Sequence, residues 1–78
     1  MEYIDKLFEQ HKWSLYNKKS NSSVFRRNET EFFEIKEGVD GKVKVSFPLN
    51  NSTYNYTTEI SGFSNTYDFV SEKLEYLD

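Results

Sequence analysis

The sequence predicts an α+β domain. An antiparallel meander of three to five strands lies between an N-terminal and a C-terminal helix, α-β-β-β(-β)-α, packed as a two-layer sandwich. Three observations predict it. Apolar residues recur at helical spacing near both ends of the chain. Between them, apolar and polar residues alternate with period two. An Asp40-Gly41 pair separates two of the alternating stretches, which is a strong short-range hairpin signal.

The first helix is expected over residues 2–11, where Ile4, Leu7, Phe8 and His11 form one stripe. Glu2 and Asp5 lie in its first turn, where negative charge suits the helix dipole. From Trp13 the period changes to two. Trp13 and Leu15 alternate with Ser14 and Tyr16, a strand pattern. Residues 17–23 read as a polar loop. Val24 to Arg27 reads as a short strand, with Asn28-Glu29-Thr30 as a turn before a strand over Glu31–Lys36. These two strands can equally be one bulged strand. Asp40-Gly41 turns the chain into Lys42–Phe47, where Val43, Val45 and Phe47 share one face. Pro48 ends that strand because it cannot donate to a ladder.

Leu49-Asn50-Asn51-Ser52 is turn chemistry, and Thr53–Ile60 alternates again, with Tyr54, Tyr56, Thr58 and Ile60 on one side. Ser61-Gly62 breaks the pattern. A last helix is expected from Ser64-Asn65, with Asn65 and Asp68 in the spacing of a capping box. Its stripe is Tyr67, Val70, Leu74 and Leu77. Both helices are expected on the sheet face that carries Val43, Val45 and Phe47. Residues 1–78 form one domain in this scheme, without repeat, linker or low-complexity segment.

Composition sets what the domain can do. Of 78 residues, 18% are aromatic, against no Cys and one His. Aromatic rings bury large areas, so aromatic burial, or assembly with a partner, must stabilise this small core in place of disulfides or a zinc site. With 10 basic and 13 acidic residues the net charge is −3, which opposes non-specific binding to nucleic acid or an anionic membrane. No apolar run approaches a membrane span. The first residues lack the pattern of a signal peptide, and the absence of Cys fits a reducing compartment, so a cytoplasmic location is expected. Ala is absent while Asn, Lys, Tyr, Phe, Ser and Glu abound. That matches an AT-rich coding background, as in many phages and low-GC bacteria.

The stretch Ile4-Asp5-Lys6-Leu7-Phe8-Glu9-Gln10-His11-Lys12-Trp13, the Gly41 hairpin and the closing helix resemble, in element order, a double-stranded-RNA-binding domain. That resemblance implies a lysine-rich start to the last helix. Here the stretch is Ser64-Asn65-Thr66-Tyr67-Asp68-Phe69, without Lys or Arg, and the family's Ala-rich helix interior is missing.

Each reactive candidate has a structural reading beside the chemical one. His11 suits a helix C-terminus, and neither Cys nor a second His exists to build a zinc site with it. No Ser lies in a Gly-x-Ser-x-Gly turn. Glu29, Glu31, Glu34 and Glu37 invite a metal or glycosidase reading, but they alternate with aromatics and Lys36 as a solvated strand face would. The Asp-Gly pair lacks the ligand ladder of a calcium loop, and no Gly-rich phosphate cradle occurs. Five Asn-x-Ser/Thr sequons, at Asn21, Asn28, Asn50, Asn51 and Asn55, follow from Asn/Ser/Thr-rich composition. No enzyme, cofactor or metal is therefore expected.

The aromatics outnumber the places a core needs. Ile4, Leu7, Phe8, Trp13, Leu15, Phe33, Ile35, Val43, Val45, Phe47, Tyr54, Tyr56, Ile60, Phe63, Val70, Leu74 and Leu77 are expected to fill it. Tyr16, Phe25, Phe32 and Phe69 are left on opposite faces, with Phe25 depending on register. Lys18, Lys19, Arg26 and Arg27 form the one basic concentration. Arg and Tyr are enriched at protein interfaces, and Arg-plus-aromatic faces also stack single-stranded bases. The expected partner-binding set is Tyr16, Phe25, Arg26, Arg27, Phe32, Glu34 and Lys36, with Lys44 at the rim. The function expected is a non-enzymatic phage or mobile-element protein that binds and inhibits a host or defence protein. A sub-case is nucleic-acid mimicry by the Glu29–Glu37 run and by Asp68, Glu72, Glu75 and Asp78. The alternatives are a nucleic-acid-binding domain on the Arg/aromatic face and a structural homo-oligomer.

Overall fold

A computed structural model describes residues 2–48 and 55–77. The elements run α1 (Glu2–Gln10), β1 (Ser14–Lys18), β2 (Ser22–Arg26), β3 (Phe32–Glu37), β4 (Lys42–Pro48), β5 (Asn55–Ser61) and α2 (Phe63–Leu77). The five strands form one antiparallel sheet in sequence order, so each strand pairs with its neighbours in the chain. The helices lie side by side on one face, α1 next to β1 and α2 next to β5. This is the α+β arrangement that the alternating pattern predicts. Expected residues 49–54, including Tyr54, lie outside the described residues.

α1 forms because Ile4, Leu7 and Phe8 share one stripe, and all three are buried. It ends in a Schellman motif. The Trp13 amide donates to the Phe8 carbonyl at 2.9 Å and the Lys12 amide to the Glu9 carbonyl at 3.0 Å. Lys12 sits at the left-handed position with φ 65°. The motif brings Trp13 edge-on to Phe8, with ring centroids 6.1 Å apart.

β1 is longer than expected and carries a bulge between Leu15 and Asn17. The polar loop shrinks accordingly, because Asn17 and Lys18 belong to β1, and Ser22 and Ser23 to β2. β2 and β3 are two strands, paired from Ser22↔Lys36 to Arg26↔Phe32. Asn28 makes their turn, its Oδ1 accepting from the amides of Thr30 and Glu31, each at 2.9 Å. Asp40 and Gly41 both take positive φ, 58° and 70°, and the Lys42 amide donates to the Val39 carbonyl at 3.2 Å, as in a type I′ turn. α2 starts earlier than expected. Gly62, at φ 90°, is its N-cap, and its carbonyl accepts from the Thr66 amide at 3.1 Å and the Thr66 hydroxyl at 2.7 Å. Asn65 therefore lies inside the first turn, where its side chain donates to the Ser61 carbonyl at 3.0 Å.

One core holds the layers together: Ile4, Leu7, Phe8, Trp13, Phe25, Phe33, Ile35, Val43, Val45, Phe47, Val70 and Leu74. Its rings form a chain. Phe8 stacks on Phe25 at 3.9 Å and meets Phe33 edge-on at 5.0 Å; Phe33 continues to Phe47 and Phe47 to Phe69. Each fully buried side chain of this kind contributes about 1.5–3 kcal/mol.

The core corrects several expectations. Phe25 is 2% exposed, because the column Leu15↔Phe25↔Phe33 faces the helices. Phe69 is half-buried against Phe47 rather than on an opposite face. Leu15 and Phe63 are 50% and 54% exposed. Leu15 lies on an edge strand that α1 overhangs only partly, and Phe63 packs sideways on Tyr3 at 5.6 Å. Tyr56 has the expected facing but lies at the rim of the edge strand, 52% exposed. Thr66 takes the buried place expected of Tyr67.

Candidate partner-binding face

The sheet face away from the helices is built by strand alternation. Register places Arg26 beside Phe32, Val24 beside Glu34, and Glu34 beside Ser46. It also aligns Ser22, Lys36, Lys44 and Glu59 in a row across four strands. Tyr16, next after helix-facing Leu15, points outward by strand alternation, and the β1 bulge turns Asn17 the same way, because two bulged residues oppose one on the partner strand. The Arg26 guanidinium lies 4.6 Å from the centre of the Tyr16 ring, and Tyr16 meets Phe32 edge-on at 5.4 Å. Tyr16 is 57% exposed and Phe32 half-buried. Asn55 pins the Phe32 backbone, donating to its carbonyl at 3.4 Å.

The face is electrically asymmetric. Among the described residues it carries four cations, Arg26, Lys36, Lys42 and Lys44, against two carboxylates, Glu34 and Glu59. Lys42 and Glu59 approach to 3.9 Å. The exposed side of α2, by contrast, bears Asp68, Glu72 and Glu75. A chain of net charge −3 thus presents a locally positive, aromatic-tipped sheet.

Of the expected set, the structure brings Tyr16, Arg26, Phe32, Glu34 and Lys36 to this face and separates two. Phe25 is core. Arg27 turns the other way, to the helix side. Its Nε and Nη2 bond both Glu31 oxygens, at 3.0 and 2.8 Å, and its guanidinium lies 5.1 Å over the Trp13 ring. Arg27 follows the last residue of β2, where no bulge intervenes, so it continues the alternation to the face opposite Arg26. The carboxylate run is dispersed as well. Glu31 pairs with Arg27, Glu34 lies on the outer face, and Glu37 lies on the helix side in register with Val43. Arg27 holds the Glu31 carboxyl below its ordinary value. Burial, and then the charge of Glu37, raises the Tyr3 hydroxyl above its own.

Comparison with protein families, characterised proteins and solved structures finds no match. The resemblance in element order to double-stranded-RNA-binding domains goes no further here: the sheet has five strands, and α2 opens without a basic residue. No group of three or more His, Cys, Asp or Glu converges among the described residues. His11 lines a shallow depression with Gln10, Lys12 and Arg27. No described helix is long and apolar enough to cross a membrane.

A further concave surface lies outside the expected set. A groove of about 470 Å³ lies between β5 and α2, lined by Phe47, Pro48, Tyr56, Thr58, Phe69, Lys73 and Tyr76. The Lys73 ammonium sits 5.3 Å from the Phe69 ring centre and 5.6 Å from that of Phe47. The sequence held a signal for it, since Phe69, Lys73 and Tyr76 recur at spacings of four and three on one side of α2.

Proposed function

We propose that this chain is a non-enzymatic binding module that docks its outer sheet face on an acidic surface of a partner protein. The observation that carries the proposal is the packing of Arg26 on Tyr16 and of Tyr16 on Phe32, on a sheet face that neither helix covers. Aromatic and Arg side chains clustered at the centre of a patch are what interface hot spots consist of. Lys36, Lys42 and Lys44 supply long-range attraction for acidic groups, and Glu34 and Glu59 restrict which ones fit. The AT-rich composition favours a phage or mobile element as the source, and its partner would then be a host or defence protein whose activity it inhibits in the host cytoplasm.

A second reading, single-stranded nucleic acid, is favoured by the same Arg26–Tyr16 pair, because bases stack on such platforms. One experiment separates the two. Tagged wild type and Phe32→Ser are used to capture partners from host lysate, with and without nuclease. A protein retained by wild type after nuclease and lost with Phe32→Ser supports the protein reading. Retention that disappears with nuclease supports the nucleic-acid reading. Equal retention by both chains removes the outer face from the function.

A further inference from the structure

We infer that the free edge of β5 pairs with β5 of a second copy, giving an antiparallel ten-stranded sheet about a two-fold axis through Thr58.

The two edges of this sheet are built differently. Natural sheets guard their edges with bulges, inward-pointing charges and lysines. β1 has all three: the bulge between Leu15 and Asn17, Lys18 on the helix side with its ammonium 3.3 Å from Asp5, and Lys19 beyond it. β5 has none. Its seven residues pair with β4 without interruption from Lys42↔Ser61 to Pro48↔Asn55. It contains no Pro, Lys or bulge, and its single charge, Glu59, lies on the outer face toward Lys42.

The backbone fixes which groups are on offer. The Gly62 amide donates to the Gly41 carbonyl at 2.9 Å, in the register of the β4–β5 ladder. Hydrogen-bonded and non-hydrogen-bonded pairs alternate along an antiparallel ladder. Ile60, Thr58 and Tyr56 therefore bond to β4, while Ser61, Glu59, Thr57 and Asn55 direct N–H and C=O outward. Antiparallel self-pairing must match outward residues with outward residues. The two-fold on Thr58 does this over the whole strand, setting Thr57 against Glu59 and Asn55 against Ser61. A two-fold on Glu59 would place the two carboxylates directly opposite each other, which is destabilising.

The side chains complement each other in the same register. On the helix side Tyr56, 52% exposed, falls opposite Ile60 of the second copy, and Thr58 meets its own counterpart. Aromatic–β-branched and Thr–Thr pairs are favourable cross-strand neighbours. On the outer side each Glu59 faces Thr57 and keeps Lys42 beside it. The self-complementarity points to a second copy rather than to an unrelated strand.

Sedimentation equilibrium of the untagged chain from micromolar to millimolar concentration tests this. The expected result is a mass rising from 9.3 kDa to twice that value. Thr57→Pro removes an outward amide without touching the β4 ladder, so it should keep the far-UV spectrum and weaken association about 10- to 100-fold. If Thr57→Pro alters the fold, Thr58→Lys, which opposes two like charges on the axis, replaces it. A single 9.3-kDa species throughout overturns the inference, as does a dimer indifferent to the folded variant. Capture of a foreign strand at this edge, with no dimer, overturns it too. Phe32→Ser should leave the dimer intact, so failure of the outer-face reading is separately visible.

Discussion

Phe8 shows what one residue decides in so small a core. It is fully buried, stacked on Phe25 and edge-on to Trp13 and Phe33, so it joins α1 to β2 and β3. Phe8→Ala should cost about 3–5 kcal/mol in urea unfolding. Leu15, half-exposed on the same face, should cost about 0.5 kcal/mol or less when changed to Ala. Glu31 sets a pH dependence. Its folded carboxyl lies below the ordinary 4.5 because Arg27 bonds its charged form. The stability it adds is present above that value and is lost as pH falls through the lower, folded value. Glu31→Gln should therefore destabilise at neutral pH and weaken the acid-induced fall in the urea midpoint. Phe32 and Phe25 illustrate how far residues alone can be read. Alternation with Phe33 and Ile35 by itself sends Phe32 outward, whereas only the Phe25↔Phe33 register sends Phe25 into the core.

At the scale of elements, the strongest local chemistry was readable in the chain. Asp40-Gly41 makes the β3–β4 turn, and the Ile4–Leu7–Phe8 stripe makes α1. Helix ends were less legible, because caps depend on backbone angles as well as residue type. Lys12 occupies a left-handed C′ position that glycine prefers. Lys12→Gly should raise stability by about 1 kcal/mol, measured as a shift in urea midpoint at unchanged slope. The β1 bulge had no sequence signal at all, yet it turns Asn17 to the outer face beside Tyr16 and Lys18 to the helix side.

For the whole molecule, a single cluster spans both helices and strands β2 to β4, with Ile60 of β5 packed on it, so the described residues share one core. Urea unfolding followed by Trp13 fluorescence and by far-UV circular dichroism should give coincident curves. Two separated transitions would show that the α2–β5 side melts independently. Charge is distributed at this scale too, with cations concentrated on the outer sheet and carboxylates on the exposed side of α2. The sequence by itself determined the helix–sheet–helix order, the type I′ turn and most of the core, because spacing and turn residues act within a few positions. The tertiary structure alone decided that Phe25 packs into the core, that Phe69 closes on Phe47, and that Arg26 lies over the Tyr16 ring. Those outcomes depend on contacts between elements: on inter-strand register for Phe25, where a one-residue slip would move every side chain of the strand to the other face, and on the docking of α2 against β4 for Phe69.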